Sequence, residues 1–269
     1  SHDIKKAGGY RYAETCEILL FGYAYDDYPV TVIDMAQGEE IPPAVIKDLM
    51  NKDVLKTAYN AQFERTVLTH YLRKRRMLDQ YTWLDPRQWI CSMVMGLSLG
   101  LPGYLAGLSD VFGLGEDEGK MSVGKALIWY FCKPCKATKS NGGRTRNMPV
   151  DDPKKWAVFK EYNRRDVEVE GKLRTKMWPW RPSEAEHRLW VLDQEINDRG
   201  VQIDTKLVAN AINIDKEHQQ ELVAEAKKLT GLPNPSSGAQ LKQWIREKGG
   251  FFPDSLTKTT IPGIKDRAK

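Results

Sequence analysis

The segment Val54-Leu55-Lys56-Thr57-Ala58-Tyr59 reads as a strand, and it breaks within two residues into a run whose apolar side chains recur at helical spacing: Phe63, Val67, Leu68 and Tyr71. A strand that feeds a helix so abruptly needs sheet partners, and the helix needs a sheet to cover its apolar stripe. The junction therefore commits the chain to an α/β arrangement. It also sets a carboxylate, Glu64, on the first turn of the helix, at the edge where open α/β sheets hold their ligands. The helix dipole favours an acid there with no further partner, so Glu64 alone defines no site.

Other elements gather around this junction. Glu17 to Tyr25 is strongly apolar, Asp26-Asp27-Tyr28-Pro29 turns the chain, and Val30 to Asp34 returns, which predicts a β-hairpin. Pro42-Pro43 opens a helix through Met50, with proline where its missing N–H costs nothing. Trp83 to Asp85 reads as a short strand, and helices are expected over Pro86–Leu99, Gly103–Phe112 and Gly124–Phe131. Lys133 to Pro149 is polar, basic and glycine-bearing, a surface loop. Asp151-Asp152-Pro153 caps a long helix to about Met177. Two prolines in Trp178-Pro179-Trp180-Arg181-Pro182 make a stiff break, which predicts a first domain over 1–180 and a second over 183–269. The second reads as helical, over Ser183–Arg199, Thr205–Thr230 and Gly238–Glu247, with Gly249 to Lys269 expected to carry no packed element.

The long helix carries a second acid in Tyr162-Asn163-Arg164-Arg165-Asp166. Tyr162 and Asp166 stand four residues apart, so phenol and carboxylate project from one face. An exposed Asp paired to a Lys or Arg would give the same spelling.

Taken together, the strand followed by Asn60-x-x-Phe63-Glu64 and, much later, Tyr162-x-x-x-Asp166 resemble the second and third motifs of the DEDD family of 3′–5′ exonucleases, in the subgroup with tyrosine in the third motif. The likeness is greatest to the proofreading domain of family A DNA polymerases of the phage type. Gly124 to Ile128, Asn141 to Asn147 and Ile4 to Tyr10 also resemble segments of such polymerases, and Ile196 to Asp204 resembles the opening of their polymerase region. Asn234-Pro235 with Gln240, Leu241 and Trp244 resembles the first helices of the thumb.

The resemblance implies an RNase H-like mixed sheet covered by helices, followed by a thumb-like helical segment. It implies two Mg2+ or Mn2+ ions, with Glu64 and Asp166 as metal ligands and Tyr162 orienting a water; Asn60 and Phe63 would line the site, and Lys125, Arg144 and Arg146 would contact DNA phosphates. The implied partners are a single-stranded DNA 3′ end or primer-template and the rest of a polymerase chain, in the cytoplasm of a bacterial or phage-infected cell. Two departures stand out. Glu64 occupies a position where the family usually has Asp, and the family's first motif, Asp-x-Glu on the first strand, has no counterpart before Asp3, which lies in the wrong local context to replace it. The reading therefore expects a missing first strand and little or no nuclease activity from these 269 residues alone. Its alternative is a catalytically silent, DNA-binding exonuclease-fold module.

Bulk properties exclude little else. Net charge is +5, compatible with a polyanion partner without requiring one. No apolar run reaches the ~18 residues of a membrane span. Cys132-Lys133-Pro134-Cys135 has no second cysteine pair to complete a zinc site, and with Cys16 and Cys91 it reads as reduced thiol.

Overall fold

Strand β3 (Lys56–Ala58), helix α3 (Ala61–Lys74) and strand β4 (Trp89–Cys91) form a parallel β-α-β crossover, with Lys56 opposite Trp89 and Ala58 opposite Cys91. This computed structural model describes residues 3–114 and 118–267. Ser1 and His2 lie outside them. Before the crossover come helix α1 (Ile4–Thr15), the antiparallel hairpin β1 (Phe21–Tyr23) and β2 (Thr31–Ile33), and helix α2 (Pro43–Met50). Helices α4 (Ser92–Ser98), α5 (Leu105–Val111), α6 (Glu118–Cys132), α7 (Pro153–Met177) and α8 (Glu184–Arg199) follow. The fold is mixed α/β and mostly helical. Among the described residues the strands form two separate two-stranded ladders rather than one continuous sheet.

The β4 strand corrects the helix expected over Pro86–Leu99. Asp85 caps a single 3-10 turn over Pro86–Gln88, the chain then runs extended, and helix resumes only at Ser92. Trp89 and Cys91 are buried while Ile90 between them is less so, the period-two signature of a strand. Trp83 to Asp85 forms no strand; Leu84 is buried there and its carbonyl accepts from Arg65.

The largest core cluster packs Ile41, Val45, Ile46 and Leu49 of the α2 region onto Ala61, Leu68 and Leu72 of α3, with Leu84, Trp89 and Cys91. A second cluster joins Met95, Leu108, Leu173 and Met177. A third joins Leu127 and Phe131 of α6 to Trp156 and Phe159 of α7. Helix α7 thus spans two of the three, packing α4 and α5 at one end and α6 at the other.

The compact units divide after Gly200, as residues 1–200 and 201–269, and not at the proline pair 179/182. The reason is a buried charge. Arg65 on α3 has no exposed surface, and an arginine cannot discharge itself by losing its proton. Its guanidinium makes two bonds to the Asp198 carboxylate on α8, at 2.7 and 2.8 Å, and others to the Leu84 carbonyl and Gln194. Tyr10 of α1 donates to the same Asp198 at 2.9 Å. These bonds tie α8 to the first unit. The second unit is helical: α9 (Thr205–Thr230) capped by Asp204, α10 (Gly238–Gly249) capped by Ser237, and α11 (Ile261–Arg267), a helix where none was expected.

Candidate active site

Asn60 makes the sharp junction between β3 and α3. It sits in the left-handed region, φ 62°, which Asn tolerates better than most side chains. The reversal starts α3 at Ala61 and brings Glu64 onto the first helical turn. Glu64 retains a little exposure, but its Oε2 is fully buried and accepts no hydrogen bond. Burial raises its pKa to about 8, and the Glu170 charge adds to the rise, offsetting the backbone hydrogen bond that lowers it.

Helix α7 carries the second candidate pair. Asp152 accepts from the Lys155 N–H and caps its start. Tyr162 and Asp166 share a face, and the Tyr162 hydroxyl donates to the Asp166 carboxylate. Burial raises the Asp166 pKa to about 6, with the Tyr162 bond holding it lower than burial alone would. The phenol is pushed well above its ordinary value, first by burial and then by the Asp166 charge.

Two glycines permit these positions. A Cβ on Gly124 would stand 2.1 Å from the Tyr162 ring, so the ring lies directly on the α6 backbone. A Cβ on Gly22 would stand 2.6 Å from Asn163 Oδ1, so α7 closes onto β1. Tyr162 also stacks on Phe159, 6.5 Å between ring centroids. The site helix is thereby fixed to both α6 and the hairpin.

A further carboxylate, Glu170, lies one turn beyond Asp166. It is 9% exposed, and its Oε1 has no partner. Sequence reasoning missed it. The signal that singles it out was present: Tyr162, Asp166 and Glu170 recur every four residues.

The remaining expected site residues separate into groups. Asn60 is exposed at the junction. Phe63 stacks on Tyr12 of α1, 6.1 Å between centroids, so its ring already has an intramolecular partner. Arg144 donates to Asn147 Oδ1 at 2.9 Å and to the Asn141 carbonyl at 3.1 Å, and it pairs with Asp151. Arg146 pairs with Glu17 at 2.7 Å. Both arginines thus brace the 133–149 loop. Lys125 is exposed on α6, one residue past the glycine under Tyr162.

Glu64, Asp166 and Glu170 offer oxygen donors, the kind that hard divalent ions take, and the unpartnered Glu64 Oε2 is a ligand atom without a ligand. Among the described residues, no group of three His, Cys, Asp or Glu side chains is gathered closely enough to hold a metal ion. The donor chemistry fits a metal site, and the gathered donors are fewer than three.

Buried acids with shifted pKa values on an α/β scaffold mark a candidate functional site. The chain is similar to a DNA polymerase of Bacillus phage SP02, 51% identical over 263 residues, which is 97% of this chain. It spans 39% of the length of that relative. No protein-family model matches the chain. No solved structure matches it. Among the described residues, no helix is long and apolar enough to cross a membrane.

Proposed function

We propose that this chain is the 3′–5′ exonuclease (proofreading) region of a phage-type family A DNA polymerase, on an RNase H-like scaffold, followed by the first helices of a thumb. It binds single-stranded DNA 3′ ends and, given its first motif, hydrolyses the terminal phosphodiester. The observation that carries the reading is the Tyr162–Asp166 pair, half-buried, hydrogen-bonded and seated on Gly124. The 51% identity to a DNA polymerase supports the polymerase context.

In this reading Asp166 and Glu64 hold divalent ions. Mg2+ or Mn2+, when bound, would supply electrostatic stabilisation of the phosphodiester's developing charge. Tyr162 orients the attacking water while its hydroxyl fixes the Asp166 carboxylate. The buried surroundings of Glu64 exclude bulk water and so strengthen every charge interaction there. Lys125, exposed on α6 beside the glycine that carries Tyr162, contacts a DNA phosphate and positions the strand without reading its sequence.

The test is Mg2+-dependent shortening of 3′-labelled single-stranded DNA by this chain preceded by an Asp-x-Glu strand. D166N should lose the activity by at least about a hundredfold, the loss of an essential ligand. An unchanged D166N rate overturns the assignment.

The alternative reading is a DNA-binding module without nuclease chemistry. In that case DNA affinity survives D166N and added metal ions change nothing.

A further inference from the structure

Glu170 is not needed by the two motifs that define the candidate site, yet the fold buries it within electrostatic reach of Glu64. Ser92, at the start of α4, contacts the Ala58 carbonyl at 3.2 Å and also bonds the Glu170 side chain. This anchors Glu170 to the end of β3, where the chain turns into the helix that carries Glu64. The side chain is 9% exposed, and Oε1 has no hydrogen-bond partner. Glu64 Oε2 is likewise buried and unpartnered, and the Glu170 charge is felt at Glu64. The Tyr59 hydroxyl is a further buried polar group with no partner. Arg174, one turn further on α7, also acts on Glu170. Its guanidinium does not cap Oε1, which stays unpartnered.

Two interacting buried carboxylates, each with an unsatisfied oxygen, are costly unless something positive lies between them or a proton is shared. We propose that Glu170 and Glu64 together form a divalent-cation site, taking Mg2+ or Mn2+ with water filling the remaining positions. Mg2+ is commonly held by only one or two carboxylates, with waters and substrate phosphate completing its shell. A two-carboxylate site is thus compatible with the absence of any gathered group of three among the described residues. Glu170 then adds a ligand that neither exonuclease-like motif contains. The inference rests on the proposed exonuclease reading only in its choice of cation.

The test is Mn2+ binding to the 269-residue chain, followed by electron paramagnetic resonance and calorimetry, in wild type, E170Q, E64Q and the surface control E161Q. E170Q and E64Q should each weaken Mn2+ binding by roughly ten- to a hundredfold, while E161Q binds like wild type. Mn2+ should raise the melting temperature of wild type and leave that of E170Q unmoved, a comparison that separates lost binding from lost folding. Wild-type affinity retained in E170Q, or no Mn2+ bound by wild type at millimolar concentration, overturns the proposal. Nuclease activity is read separately: loss of DNA shortening in D166N with intact E170Q binding sinks this inference alone. Mn2+ binding lost in E170Q beside full DNA shortening by D166N sinks the nuclease assignment alone.

Discussion

Replacing the Glu64 carboxyl by an amide, in E64Q, should remove a pH-dependent destabilisation that the fold imposes on this side chain. The carboxyl has an ordinary value of 4.5 and is pushed up to about 8, chiefly by burial. Raised this way, Glu64 contributes stability that is fully present below pH 4.5 and lost as pH rises towards 8. Between pH 5 and pH 7 the unfolded chain has released the Glu64 proton and the folded chain has kept it. One proton of difference is a slope of ~1.4 kcal/mol per pH unit, so those two units cost the wild type about 2–3 kcal/mol. The amide of E64Q has nothing to titrate and is nearly isosteric with the carboxyl. Urea unfolding at pH 5, 6, 7 and 8 measures this as the difference between wild type and E64Q, which cancels the titrating groups that do not interact with Glu64. The gap should swing in favour of E64Q by about 2–3 kcal/mol from pH 5 to pH 7 and flatten above pH 8. A gap that stays constant across this range would refute the reasoning, since it would place the Glu64 carboxylate in water or beside a permanent cation.

Arg65→Met leaves the Asp198 carboxylate buried without its partner and should cost about 3–5 kcal/mol, read from the unfolding midpoint; R65M with D198L should recover much of that loss. Gly124→Ala drives a methyl into the Tyr162 ring. It should cost about 1–3 kcal/mol and perturb the Tyr162 ring resonances in NMR spectra, whereas Gly171→Ala, where a Cβ meets open space, should be neutral or stabilising. Tyr162→Phe removes the donor that holds the Asp166 pKa down. The carboxyl should then titrate above its present value of about 6, measurable by carbon-detected NMR of labelled aspartate.

The strand–helix junction at Asn60, the hairpin, helix α7 with its Asp152 cap, and the Tyr162–Asp166 face were all legible in the sequence. Each depends on local periodicity and capping, which lie within a few residues. What was not legible depends on distant partners. Trp89 to Cys91 spells an apolar run that suits a helix as well as a strand, and only pairing with Lys56–Ala58 decides it. The proline-rich break at 178–182 separates two helices, yet it is no unit boundary, because Asp198 lies far along the chain from the Arg65 it neutralises. Phe63, Arg144 and Arg146 looked available for DNA, and they are held by Tyr12, Asn147 and Glu17, contacts with no local signature. Glu170 carried its signal in the four-residue spacing and was obscured by the apolar residues around it.

The central claim is that Glu64 and the Tyr162–Asp166 pair are two parts of one nuclease site. The measurement that bears on it most directly is single-turnover, Mg2+-dependent release of the 3′-terminal nucleotide from single-stranded DNA, with an Asp-x-Glu strand joined ahead of the chain. Robust release is expected, reduced at least about a hundredfold in D166N and in E64Q alike, with only weak release from the 269-residue chain by itself. Equal rates in wild type and D166N, or strong release from the 269 residues alone, would contradict it.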